Sequence, residues 1–326
     1  MASENNLLAA PDRNLALELV RATEAAAIRA VPFIGKGDKL AADGAAVDAM
    51  RAFLATVNFD GVVVIGEGEK DRAPMLFNGE HVGNGNGPAT DVAVDPIDGT
   101  AMTAQGRQNA LSMIAVADRG SMLDASMVFY MEKLVTDAHG IGVVSLEQSL
   151  GDNIRELAKA KRKDVGDMVV AVLDRPRHEP LIEEIRAAGA GTRILLDGDV
   201  AGGINAARYE TRIDMCVGIG GSPEGVVTAC AIKALGGFIQ GRLAPTTDEE
   251  RQRGAAAGLD FERIYDADGL VASDNTMFVA TGVTDGGLIE GVRRKGPIIR
   301  TESIVLRSHS GTLRRIRSDH IADRWF

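Results

Sequence analysis

The sequence predicts an α/β protein of α+β character, and three observations carry that expectation. Ala-rich amphipathic segments open the chain and give way to short β-branched runs. Apolar runs then alternate with helical segments through the second half. Finally, 38 glycines in 326 residues supply the tight turns that such alternation needs.

After Pro11, "DRNLALELVRATEAAAIRAV" sets Leu15, Leu19 and Ala26 near helical spacing and predicts a first helix. "GKGDK" interrupts it. A second helix runs through "ADGAAVDAMRAFLATV", with Val47, Met50, Leu54 and Val57 as its apolar face. Asp43, four residues before Val47, projects inward from the first turn, whereas Asp48 points away. "VVVI" (62–65) reads as a strand ending in "GEGEKD", and "DVAVD" as the next, followed by a turn and a helix through "TAQGRQNALSM". "MIAVAD" and "SMVFYMEKLV" read as neighbouring strands, closing an N-terminal lobe of residues 1–140. The C-terminal lobe, 141–326, alternates "MVVAVLD", "EPLIEEIRAAG", "TRILLD", "VAGGINAA", "IDMCVGIGG" and "EGVVTACAIKALGG" as strand and helix in turn, which predicts βαβ units and a mostly parallel sheet. "TTDEERQRGAA" (246–256) reads as a solvated connector, and the tail as two strands joined at "SHSG".

The chain is 45% hydrophobic and 25% charged, the composition of a water-soluble globular protein. A net charge of −10 argues against a nucleic-acid or anionic-membrane partner. The basic tail, nine Lys or Arg against three acids in residues 291–326, reads as the polar face of a strand. Cys216 and Cys230 have no CxxC spacing and read as small buried hydrophobes. The five histidines, 81, 139, 178, 309 and 320, have no metal spacing and are expected at the surface. No signal peptide or membrane-length apolar run is visible, so the expected location is cytoplasmic.

Residues 38 to 100 hold eleven Asp or Glu and four Lys or Arg. Three of the acids mark element ends: Asp43 at a helix start, Glu67 after one strand and Asp95 after another. Ligands of α/β folds bind at such ends. Carboxylates gathered there raise one another's pKa or require a cation, and oxygen-only donors suit Mg²⁺ or Mn²⁺. In "DVAVDPIDGT", Asp95 ends the strand, Pro96 turns the chain and Asp98 returns beside Asp95. Gly99 gives the backbone room, and Thr100 opens a helix whose free N–H groups suit a phosphate. Taken alone, this is equally a proline turn with Asp98 as a helix cap. Glu67 and Glu69 in their Gly-spaced loop weigh towards a site. In "GIGGSPEG", Pro223 breaks the dinucleotide fingerprint and Glu224 opens the next helix, where a carboxylate is also favoured by the dipole.

Together "KGDKLAADGAAVDAM", "VVVIGEGEKDRAPML", "AVDPIDGT", "DRPRH", "DGDVAG" and "GIGGSPEGVV" resemble the class II fructose-1,6-bisphosphatases. "DPIDGT" alone marks the wider lithium-sensitive, metal-dependent sugar and inositol phosphatases; "IGEGEKDRAPML" and "GIGGSPEG" narrow it. The resemblance spans about residue 15 to the final strands. It implies a layered α/β/α/β/α sandwich, two lobes with the site between them, and removal of the 1-phosphate of fructose 1,6-bisphosphate. By family pattern the metal ligands are Asp43, Glu67, Asp95 and Glu224, with Asp98 beside them, and Thr100 is similar to the catalytic threonine. Lys39, Glu69, Asp98, Gly99, Thr100, Tyr130, Lys133, Arg175 and Arg177 match positions that hold the phosphosugar, and Asp197 and Asp199 match positions near its hydroxyls.

The expected chemistry is hydrolysis without a phosphoenzyme: Thr100, assisted by Asp43 or Glu67, positions the attacking water, and an ion near Asp98 and Glu224 steadies the leaving oxygen. Such hydrolysis needs on the order of 20 kcal/mol of barrier lowering, which favours electrostatic stabilisation by several cations. Arg175 and Arg177, in a loop after a strand, suit the non-reacting phosphate. The alternatives are a bisphosphatase that also takes sedoheptulose 1,7-bisphosphate, an inositol-phosphatase-like enzyme, and a non-catalytic phosphosugar-binding regulator. A homo-oligomer, dimer or tetramer, is expected.

Overall fold

The computed structural model describes residues 15–66 and 76–325. The chain begins with helices α1 (Leu15–Ala30) and α2 (Lys39–Leu54), then strands β1 (Asp60–Ile65), β2 (His81–Val82) and β3 (Ala89–Asp98). A single helical turn, α3 (Thr100–Ala104), precedes β4 (Leu111–Asp118) and β5 (Tyr130–Thr136). The alternating stretch follows: α4 (Leu150–Lys161), β6 (Val169–Leu173), α5 (Glu179–Ala188), β7 (Gly191–Leu195), α6 (Val200–Ala206), β8 (Met215–Gly221) and α7 (Ser222–Leu235). Then come β9 (Phe238–Leu243), α8 (Asp248–Ala256), β10 (Ile264–Asp266), α9 (Ala267–Leu270), β11 (Met277–Gly282), β12 (Arg293–Lys295), β13 (Ile298–Arg307) and β14 (Thr312–Ile321).

Two sheets organise these elements. The first has the order β12-β13-β11-β4-β3-β1-β2, with β14 along β13. Only β1 and β3 pair in parallel there. The second has the order β10-β9-β5-β8-β6-β7. Apolar clusters define five layers. Leu19, Met50, Leu54 and Phe59 pack with Val92 and Val94 on the outer face of the first sheet. Ala93, Met113 and Phe278 face Met131, Ile204, Val226 and Ile232, so α6 and α7 lie in the apolar layer between the sheets. Ile154, Leu157 and Ile185 cover Val170 and Val172 on the far side of the second sheet. This is the layered α/β sandwich the resemblance implies.

Local chemistry sets the boundaries. Asp38 caps α2, accepting from Ala41 N at 2.9 Å. Gly189 and Gly236, at φ +95° and +65°, end α5 and α7 in the left-handed region. The tail hairpin pairs throughout its length, from Ile298↔Ile321 to Arg307↔Thr312, as its alternation predicts.

Four sequence expectations need correction. Within 246–256, α8 is a capped helix: Thr247 Oγ1 accepts from Glu250 N at 3.1 Å, and the Glu250 carboxylate accepts from Thr246 N at 2.7 Å. The helix expected through "TAQGRQNALSM" stops at Ala104, and β4 begins at Leu111. β4 and β5 are not neighbours, since β4 pairs with β3 and β11 while β5 pairs with β8 and β9. The second sheet is mixed, parallel only between β6 and its neighbours β7 and β8. β9 and β10, which patterning left unread, supply antiparallel pairs. No helix among the described residues is long and apolar enough to cross a membrane.

Candidate active site

Asp95 and Asp98 both lie within β3, so Pro96 does not end the strand as expected. Asp95 pairs with Met113 and Asp98 with Leu111: three steps along β3 against two along β4, which is a β-bulge. Proline has no N–H for the ladder and is tolerated at such a point. The bulge also reverses the alternation, because Val92, Val94 and Ile97 share the outer cluster while Ala93 belongs to the inner one. Residues 95 and 98 would face opposite ways in a regular strand; the extra residue returns both to the inner side. Gly99 then takes φ +90° and starts α3 at Thr100. The turn before α2 docks on α3 through Gly35 N to Thr103 O, 2.9 Å, and Gly37 N to Ala104 O, 2.8 Å. This packs α2 against α3. Lys39 is exposed there and Asp43 buried.

The second sheet supplies the opposite wall. In the antiparallel pair β5–β8, Tyr130 faces Gly221 and Lys133 faces Gly218. Lys133 Nζ lies 2.5 Å from Asp199 Oδ2 and 3.0 Å from Gly221 O. Gly220 has no room for a side chain, since a Cβ would collide with the Asp199 carboxylate and stand 2.8 Å from Lys133 Nζ. At Gly221 a Cβ would overlap the Glu224 carboxylate. Across the seam between the sheets, the Gly198 α-carbon abuts Asp98: a Cβ there would sit 2.8 Å from Oδ2. The "DGD" and "GIGG" segments are therefore cradles for acids and for one ammonium group.

The electrostatics of the seam follow. Asp98 is buried, and that burial pushes its carboxyl well above the ordinary range; the charges of Glu224, Asp199 and Asp197 add to the shift, and Lys133 opposes it. Lys133 pairs with Asp199, and Arg175 with Asp197. The Glu224 charge acts on Asp98, and two carboxylates would offer the all-oxygen donors that a hard divalent ion takes. Asp43 and Asp95 each have one buried carboxylate oxygen. No three His, Cys, Asp or Glu side chains among the described residues stand close enough to ligate one ion together. Glu67 and Glu69 lie outside the described residues.

Arg175 and Arg177 follow β6 but are held differently. Arg175 pairs with Asp197 at 2.5 Å and donates to Asp174 O and Leu196 O. Arg177 donates from Nε and Nη2 to Ile219 O, at 3.1 and 2.7 Å, and lies 4.7 Å over the Tyr130 ring. His178, expected at the surface, is fully buried. Its Nδ1 lies 2.9 Å from Leu173 O, and its Nε2 accepts from Ile219 N at 2.8 Å. The signal that could have found it is its place between a strand end and Pro180, where α/β folds put ligand groups. Cys216 and Cys230 are free and buried, with thiols pushed up to about 12 chiefly by burial, so neither serves as a nucleophile.

The chain is similar to known proteins over nearly its whole length. The family described as bacterial fructose-1,6-bisphosphatase, glpX-encoded, matches residues 13–320. The "Fructose-1,6-bisphosphatase 1 class 2" of Escherichia coli (strain K12) is 45% identical over 325 residues, covering 96% of each chain. The class 2 enzymes of Escherichia coli O6:H1 and Shigella flexneri match at the same 45% over the same 96%.

Proposed function

The chain belongs to the bacterial fructose-1,6-bisphosphatase family encoded by glpX, and on that premise we propose that it removes the 1-phosphate of fructose 1,6-bisphosphate, giving fructose 6-phosphate and phosphate in gluconeogenesis. The observation that supports the site is the buried Asp98, on which the charges of Glu224, Asp199 and Asp197 act while Lys133, paired with Asp199, opposes them. Asp43, Glu67, Asp95, Asp98 and Glu224 are the residues to hold Mg²⁺ or Mn²⁺. When bound, such an ion lowers the pKa of water and neutralises phosphate oxygens.

The chain's own groups do the rest. Thr100, on the turn beside α2, orients the attacking water, with Asp43 or Glu67 to take its proton. Lys133, held against Asp199, meets the phosphosugar from the second sheet, with Tyr130 and Arg177 stacked beside it. Arg177 and Arg175 grip the non-reacting phosphate, Lys39 contacts the phosphosugar from α2, and Asp197 and Asp199 accept from sugar hydroxyls. Gly99 and Glu69 complete the contacts.

Phosphate release from fructose 1,6-bisphosphate, measured with each divalent ion and with chelator, tests the proposal. Release is expected only with the ion. A Thr100→Ala variant is expected to bind substrate and lose turnover; if it turned over as fast as wild type, the role of Thr100 would be wrong. A cytoplasmic homo-oligomer is the proposed setting, supported by exposed Ile194 and Leu196 on and beside the edge strand β7. Its molar mass in solution is the check.

A further inference from the structure

We propose that His178 is a positioning residue that splays β6 from β8 and thereby holds Arg177 in its substrate-facing pose. The parallel pairing of β6 with β8 lasts only for Val170↔Met215 and Ala171↔Cys216. Beyond it the imidazole takes the place of the ladder. Nδ1–H donates to Leu173 O at the end of β6, and Nε2 accepts from Ile219 N on β8. Only the neutral tautomer with its proton on Nδ1 makes both bonds.

What the ring holds is functional in position. The C=O of Ile219 is the acceptor for both donating atoms of Arg177. The next two residues, Gly220 and Gly221, are those whose α-carbons touch Asp199 and Glu224. Gly218, at φ +128°, lies flush against the ring: a Cβ there would stand 3.0 Å from Nε2. One side chain therefore sets both the gap at the ends of β6 and β8 and the carbonyl that aims Arg177. Arg175 and Arg177 flank the ring on its own loop, and Asp199 faces it from the turn before α6.

The inference rests on Arg177 holding a substrate phosphate, and the test separates the two. Steady-state kinetics are measured for His178→Asn, His178→Gln, Arg177→Ala and the His178→Asn/Arg177→Ala double variant, with a thermal melt of each. Asn keeps a donor for Leu173 but cannot reach Ile219; the Gln carboxamide oxygen reaches the place of Nε2. His178→Asn is expected to raise KM for fructose 1,6-bisphosphate about tenfold, the scale of one misplaced charged contact. In the Arg177→Ala background the same change should alter KM less than about twofold. His178→Gln should restore most of the loss.

Equal effects of His178→Asn in both backgrounds, or an unchanged KM in that variant, would overturn the proposal. A His178→Gln enzyme no better than His178→Asn would do the same. A wild-type KM in Arg177→Ala alone would refute the phosphate role of Arg177 first, and the inference with it. If His178→Asn does not fold, His178→Ser, which reaches neither Leu173 nor Ile219, supplies the same cycle alone and with Arg177→Ala.

Discussion

Asp98 of the first sheet rests against the α-carbon of Gly198 in the loop after β7, so closely that a Cβ would stand 2.8 Å from Oδ2 and 3.0 Å from Oδ1. Gly198 also holds φ +63°. An alanine there incurs about 1–2 kcal/mol of left-handed strain and pushes the carboxylate aside. Gly198→Ala is expected to lower kcat/KM by roughly tenfold or more, because small misplacements at a reacting centre are costly. Phosphate-release kinetics on the folded variant check it, and an unchanged kcat/KM would separate this contact from turnover.

The raised pKa of Asp98 has a definite sign. Its folded form holds the proton more tightly than the unfolded chain does, so without a divalent ion stability falls as pH rises from the ordinary carboxylate range through the folded value. Asp98→Asn removes that penalty. In chelator at neutral pH the variant should melt above wild type, while added Mg²⁺ or Mn²⁺ should raise the wild-type melting temperature more than the variant's. Turnover should fall by roughly two orders of magnitude or more, the scale of losing one preorganised electrostatic contact. A melting temperature that drops in chelator would contradict the repulsion.

The pairing of Asp95 with Asp98 was legible as a spacing around Pro96, but its cause was not. A turn and a bulge give the same letters, and only the register against Met113 and Leu111 tells them apart. Alternation marked β5 as a strand without naming its partners, which is why it seemed to belong beside β4. The contacts of Gly198 and Gly220 with Asp98, Asp199 and Lys133 were not legible, because they join segments distant in sequence. His178 escaped because periodicity reports buried apolar residues and is silent on a polar ring satisfied by two backbone groups. The tail hairpin and the strand-helix alternation of the second half depended on local pattern and were readable, whereas the layered order was an implication of the family resemblance.

Arg175 and Arg177 should differ on substitution. The charge of Arg175 is met by Asp197, whereas among the described residues Arg177 is held by a carbonyl and a ring. Arg177→Ala is expected to raise KM roughly 10- to 100-fold, from the worth of charged hydrogen bonds to phosphate. Arg175→Ala should raise it less. The ratio of the two KM values is the measurement, and a larger effect at Arg175 would reverse the assignment.

His178 predicts an acid limit of its own. Burial lowers its pKa, with Arg177 and Arg175 adding to the shift, while the Leu173 carbonyl and Asp199 oppose it. The unfolded chain therefore binds the proton first, and this contribution is present above about pH 6.5 and lost as pH falls through the folded value. The melting temperature of wild type should drop more steeply between pH 8 and 5 than that of His178→Gln. The difference between the two profiles isolates the group from the opposite slope of Asp98.

Lys133 and Asp199 offer the sharpest distinction between pairing and function. Their side chains are 6% and 12% exposed and 2.5 Å apart, so removing one strands the other's charge in a dry site. Lys133→Met should cost about 3–5 kcal/mol, and adding Asp199→Leu should recover much of it, because a pair replaced by apolar groups loses little. Turnover should not recover with stability, since Lys133 is the buried cation that opposes the shift of Asp98 and the double variant leaves that acid facing Glu224 and Asp197 without it. Urea unfolding alongside phosphate release reads both quantities on the same proteins. A double variant that regained activity together with stability would make Lys133 a structural counter-ion and leave Arg177 to bind substrate without it.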